Sequence, residues 1–205
     1  MLEQRIQQHF IDSADLKYQA AQALSHPIAA AVQAVLACVT SGGKVLACGN
    51  GASAAAAQHF AASFIGRYER ERPELAAMSL SADAAVLSGI ANDFDARAVY
   101  ARQVRALGHA GDVLLALSTS GNSANMVAAV EAAHERDMTV VALTGARGGR
   151  LAQLLRDTDV QVCVPHEMPA RILEVHHLVL HCICDGVDAQ LLGLPDAPLN
   201  EQEST

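Results

Sequence analysis

Val113-Leu114-Leu115-Ala116-Leu117 runs straight into Ser118-Thr119-Ser120-Gly121-Asn122-Ser123, an apolar run that breaks into hydroxyls, a glycine and an amide. Met126, Val127 and Val130 follow at helical spacing. A short apolar run ending in such a loop and followed by a helix reads as a buried parallel strand that delivers a polar loop to a helix N-terminus. The first-turn N–H groups there have no intrahelical partner, and the helix dipole adds positive potential. The site therefore suits an anion, and hydroxyls can bind phosphate without a lysine. One serine suffices to cap a helix, whereas this loop carries four hydroxyls, at Ser118, Thr119, Ser120 and Ser123.

A second unit of the same design lies upstream. Lys44-Val45-Leu46-Ala47-Cys48 predicts a strand, Gly49-Asn50-Gly51-Ala52-Ser53 a tight polar turn, and Ala54 to Ile65 an alanine-rich helix. The glycine spacing is not that of a dinucleotide-binding turn, and no P-loop pattern occurs. Further strands are expected at 75–80, 139–143 and 160–164. Helices are expected near 84–90, 97–107, 124–136 and 170–192, and polar loops at Asn92-Asp93-Phe94-Asp95 and Thr144 to Arg150. Strands alternating with helices imply an α/β three-layer sandwich around a five-stranded parallel sheet, with ligand loops at the carboxyl ends of the strands.

Before the first strand, Ile6, Phe10, Ala14, Tyr18 and Ala21 mark one amphipathic helix over residues 2 to about 24, and Pro27 opens a second. An N-terminal helical hairpin results, with an apolar stripe that lacks an obvious cover, which points to oligomerisation. Residues 1–193 read as a single domain, and the tail at 194–205 is expected to be disordered.

Apolar residues make up 51% of the 205-residue chain and charged ones 18%, which excludes a disordered tail protein. A net charge of -8 argues against direct nucleic-acid binding. The cysteines Cys38, Cys48, Cys163, Cys182 and Cys184 are odd in number and show no metal or redox spacing, as in a cytoplasmic protein with reduced thiols. No stretch of roughly 18 uninterrupted apolar residues and no signal core occurs, so no membrane association is expected.

Cys48-Gly49-Asn50-Gly51-Ala52-Ser53, Asn92-Asp93, Ser118 to Ser123 and Leu143-Thr144-Gly145, in that order on strand ends, resemble the SIS (sugar isomerase) domain. The resemblance spans residues 2–193 and is narrower with the branch that holds the phosphoheptose isomerases and the DnaA initiator-associating protein DiaA. It implies a homotetramer with pockets between subunits and a phosphosugar ligand. The implied phosphosugar-binding residues are Asn50, Gly51, Ser53, Arg67, Asn92, Asp93, Ser118, Thr119, Ser120 and Ser123, with phosphate on the Ser118 loop. It further implies His181 as an acid/base residue if the chain is an isomerase.

Isomerisation between an aldose and a ketose phosphate needs a base to take a proton alpha to a carbonyl and an acid to deliver one. The isomerases carry a glutamate for this task where this chain reads His59-Phe60-Ala61-Ala62-Ser63. In their last helix they carry Asp and Gln where this chain has Ala170 and Leu173, within Ala170-Arg171-Ile172-Leu173-Glu174. Of the positions that hold zinc in zinc-containing members, His59 and His181 keep a donor, and two imidazoles fall short of a usual site. No zinc or other cofactor is expected unless the chain is an active isomerase. The same departures look like DiaA, and the expectation from them is a non-catalytic tetrameric adaptor that promotes DnaA assembly at the replication origin, with Leu191 and Leu192 touching DnaA. The alternative is a phosphoheptose isomerase converting sedoheptulose 7-phosphate to D-glycero-D-manno-heptose 7-phosphate. By spacing alone, His177, His181 and Cys184 share a helical face and pack incidentally, and the charged stretch from Arg67 to Pro73 is a solvated face.

Overall fold

The computed structural model describes residues 1–193. The tail predicted at 194–205 lies outside the described residues. Five parallel strands, β1 (Val45–Gly49), β2 (Ala77–Ser79), β3 (Val113–Ser118), β4 (Thr139–Gly145) and β5 (Val160–Val164), form one sheet in the order β2-β1-β3-β4-β5. The order reverses between β1 and β3, so the crevice at their carboxyl ends is the switch point where ligands of open α/β sheets bind. Cys48 pairs with Ala116 and Gly49 with Leu117, so the loops after β1 and β3 leave the sheet side by side.

Successive strand residues point to opposite faces and fill two separate cores. Val45, Ala47, Val113, Leu115 and Leu117 face α1 (Leu2–Thr40), α2 (Ala52–Ile65) and α7 (Pro169–Leu192). Leu46, Cys48, Leu114 and Ala116 face α4 (Val99–Leu107), α5 (Ala124–Glu135) and α6 (Gly149–Leu154), with Leu87 and Ile90 of α3 (Ala84–Asp93) at the margin. This is the predicted three-layer sandwich. Burial pushes the Cys48 thiol up to about 12 and, with Asp112 adding to it, the Cys38 thiol up to about 11, so both behave as small apolar residues.

The expected N-terminal hairpin is instead one continuous helix, α1, of 39 residues with Pro27 inside it. Proline removes one helical N–H, and a nearby carbonyl, that of Gln22, accepts from Ser25 Oγ at 3.1 Å. Tertiary packing on both sides of Pro27, through Leu24 before it and Ala31, Val32 and Val35 after it, keeps the helix continuous. By length and composition α1 is apolar enough to cross a membrane, although its apolar runs are interrupted. Its second half packs on α7 and the sheet. Its first half meets α7 through polar contacts, Arg171 against His9 Nδ1 at 2.7 Å and Ser13 Oγ donating to Glu174 at 2.7 Å, while Leu2, Ile6, Phe10 and Ile11 are exposed and the first buried residue is Leu16.

A second departure concerns the stretch from Arg67 to Pro73. Arg72 is buried, its Nε 2.6 Å from Asp188 Oδ1, while its Nη atoms donate to the carbonyls of Ser63 and Phe64 at 2.9 and 2.8 Å. One guanidinium thus satisfies the orphan carbonyls that end α2 and ties them to α7.

Candidate active site

The turn after β1 is fixed from behind. Gly49's carbonyl accepts from the hydroxyls of Tyr100 and Ser81, and a Cβ at Gly49 would press on Ser53, so the first turn of α2 folds tightly against the strand end. Gly51 takes φ +55° as the residue before α2, and Ser53 sits buried in the first turn. Asn50 and Asn125 exchange reciprocal amide hydrogen bonds of 2.9 and 2.8 Å, which clasp this turn to α5. Asn125 and Tyr100 were absent from the sequence-based set. Asn125 lies two residues past Ser123, and nothing in its spacing shows that it faces Asn50.

The loop after β3 holds its own shape. Ser118 Oγ accepts from the Gly121 N–H at 3.1 Å, Ser120 Oγ from the Asn122 N–H at 3.2 Å, and Asn122 Oδ1 from the Arg150 N–H at 3.0 Å. Gly121 has φ +65°, and a Cβ there would run into the Gly148 carbonyl. Ser123 occupies the N-cap position of α5 without a side-chain capping bond, so its hydroxyl stays available to a ligand. Thr119 and Ser120 complete the set of hydroxyls at the switch point. Thr144 lies buried behind them, accepting from Gln161 Nε2 at 3.1 Å.

A second group of polar side chains comes together where α2 and α7 pack against each other. His59 on α2 and His181 on α7, 122 positions apart, meet with their Nε2 atoms 3.0 Å apart and their rings edge to face at 5.2 Å. His177 flanks His59 at 6.2 Å, and Tyr68 flanks His181 at 5.5 Å. Burial first, and then the neighbouring imidazoles of His59 and His177, hold His181 below the ordinary imidazole range, against an opposing pull from Glu69. Ser63, at the position of the isomerase glutamate, donates its hydroxyl to the His59 carbonyl at 3.0 Å. Ala170 and Leu173 offer no side-chain donor at the other departed positions.

Three predicted residues are not joined to this crevice within one chain. Arg67 is exposed beyond the end of α2, about 20 Å along that helix from Ser53. Asn92 and Asp93, expected in a loop, form the last turn of α3, where Asn92 Nδ2 donates to Asp93 Oδ1 at 2.8 Å. Every residue of α3 is at least partly exposed.

Comparisons with known proteins identify the family. A family model described as the SIS domain matches residues 8–145. The chain belongs to the SIS domain family. It is 67% identical over 196 residues to the phosphoheptose isomerase of Methylibium petroleiphilum, covering 96% of this chain and 98% of the relative. It is 56% identical over 192 residues to that of Aromatoleum aromaticum, covering 94% and 97%. The solved phosphoheptose isomerase GmhA from Neisseria gonorrhoeae superposes with a TM-score of 0.88 at 50% identity, over 92% of this chain and all of that one. A phosphoheptose isomerase from Francisella tularensis gives 0.89 at 41% identity over 92% and 98%.

These likenesses overturn the expectation of a non-catalytic DnaA adaptor. The chain is a homologue of phosphoheptose isomerases over nearly its whole length, and the departures at Ser63, Ala170 and Leu173 do not outweigh identity of that extent. Leu191 and Leu192, offered as a DnaA surface, are partly exposed at the end of α7.

The positions at which the family resemblance implies zinc are His59, Ser63, Leu173 and His181 here. Two imidazoles in contact with each other, a hydroxyl committed to a helix carbonyl and a leucine do not make a three- or four-donor set. Among the described residues, no group of three or more His, Cys, Asp or Glu is placed to hold a metal ion.

Proposed function

We propose that this chain is a cytoplasmic phosphoheptose isomerase that converts sedoheptulose 7-phosphate to D-glycero-D-manno-heptose 7-phosphate. The observation that carries the reading is 67% identity to a phosphoheptose isomerase over 96% of the chain, and the hydroxyl-rich loops at the sheet's switch point support it. In this reading Ser53, Ser118, Thr119, Ser120 and Ser123 take the phosphate, Asn50 and Gly51 shape the turn beside it, and His181 acts as an acid/base residue.

The same reading makes the active form a homotetramer in which Arg67, Asn92 and Asp93 complete a neighbour's pocket. Exposed Leu2, Ile6, Phe10, Ile11 and Tyr18 on α1 support it. So does an apolar groove of about 380 Å³ between α1 and α7, lined by Leu24, Ile28, Val175, Leu178 and Cys182. Apolar surface of this kind is stable in water when a second copy covers it.

The test is conversion of sedoheptulose 7-phosphate by the purified chain, followed by the appearance of the aldose. Turnover is expected and should be lost in His181→Ala. Absence of turnover, with or without added zinc, would overturn the reading.

A further inference from the structure

The isomerase reading leaves a chemical gap, since the residue expected to take the carbon-bound proton is Ser63. A serine hydroxyl is far too weak a base without a partner. Here its hydroxyl points back along its own helix to the His59 carbonyl.

One turn before Ser63, on the same helix, His59 projects an exposed imidazole that meets His181 at 3.0 Å, Nε2 to Nε2. Two imidazole nitrogens at that distance form a hydrogen bond only if one carries a proton and the other offers a lone pair. The pair therefore holds one N–H and one lone pair, and a substrate that parts the two rings meets a donor on one and an acceptor on the other, which is what a two-proton-transfer reaction needs. His59 also lies about 9 Å along α2 from Ser53, by helical rise, a reach comparable to that between the phosphate and the carbonyl end of an extended sugar phosphate.

We propose that His59 is the catalytic base of this enzyme, replacing the missing carboxylate, and that the His59–His181 pair carries out the isomerisation without a metal ion. The proposal rests on the isomerase reading above. His59 Nε2 takes a proton from C1 of the ketose, and the C–H electron pair becomes the C1=C2 double bond while the C2 carbonyl oxygen gains negative charge. His181 moves the hydroxyl proton from O1 to O2. The imidazolium of His59 then returns its proton to C2, C1=O forms, and both rings regain their starting state. No oxidant or co-reactant is consumed. The groups facing the pair are His177 from α7 and Tyr68 and Glu69 from the segment after α2.

The experiment follows turnover and solvent-deuterium incorporation into sedoheptulose 7-phosphate for the full chain, before and after chelator treatment. His59→Gln, His59→Ala and the double variant His59→Ala/Ser63→Glu are compared with it, and thermal melts verify folding. Unchanged turnover after chelation is expected, with kcat lowered on the order of 10²- to 10⁴-fold and KM little changed in His59→Gln. Deuterium incorporation should fall in parallel, and Ser63→Glu should restore much of the activity of His59→Ala by returning a carboxylate one turn away. Activity in His59→Gln within about threefold of the parent, or activity abolished by chelation and regained with zinc, would overturn the proposal while leaving the isomerase reading intact. A parent chain with no turnover would overturn both.

Discussion

The serine loops and the histidine pair of this protein, its two polar ends, are built on different principles. At the serine end, shape comes from the backbone: Ser118 and Ser120 accept N–H groups within their own loop, and Gly121 adopts a conformation that a side chain would strain. At the histidine end, nothing local defines the site. His59 and His181 meet because α2 and α7 pack on the same face of the sheet, and Arg72 fixes the end of one helix to the other. The difference teaches that holding a phosphosugar and transforming it are separable tasks in this fold. Substitution of a single carboxylate changes the second end while leaving the first untouched.

The largest expected break in that comparison is Arg72→Ala. It strands buried Asp188 and two α2 carbonyls, and a loss of about 3–5 kcal/mol in unfolding free energy is expected by denaturant titration. The histidine pair should then separate before the serine loop loses its shape.

Ser123→Ala probes the other end. Because Ser123 makes no capping bond, its removal should leave the melting temperature nearly unchanged, yet weaken phosphosugar binding roughly ten- to a hundredfold, the worth of one hydrogen bond to a charged group. A drop in stability with unchanged binding would return the residue to a capping role.

A smaller effect sharpens the link between the two ends. His176 on α7 is fully buried, with Nε2 at 3.0 Å from the Thr144 carbonyl behind the serine loop, and burial pushes its pKa from 6.5 down to about 4. Between pH 6.5 and 4 the unfolded chain therefore binds more protons than the folded one, so stability falls as the solution is acidified. A loss of about 2 kcal/mol from pH 7 to pH 5 is expected, and His176→Gln should flatten that dependence in parallel urea titrations. Smallest of all, Asn125→Ala should leave Asn50 without its clasp and raise KM several-fold, about 1 kcal/mol, with kcat preserved.

Legibility in the sequence followed the range of the interactions. Val113 to Ser123 announced its strand, loop and helix because each signal lies within a few residues of the next, and β5 fell at its predicted limits, residues 160–164. Pro27 misled because the local cost of proline in a helix was outweighed by packing along α1. Asn92 and Asp93 misled because polar residues that favour loops also finish helices. Arg72 looked like part of a solvated charge run, since its partner Asp188 lies 116 positions away. The adaptor expectation failed for a related reason: it weighed three positions, Ser63, Ala170 and Leu173, without the spatial neighbours that stand beside them.

By itself the sequence determined the alternation of strands and helices, the two polar turns after β1 and β3 and the family to which they point, because hydrophobic period and turn chemistry are local properties of a chain. Only the tertiary structure decided that α1 runs unbroken, that Arg72 is buried, that Asn125 clasps Asn50 and that His59 stands against His181. Each of these joins residues or helix segments whose positions are set by how helices pack on the sheet, and that packing is a sum over both cores which no short stretch contains.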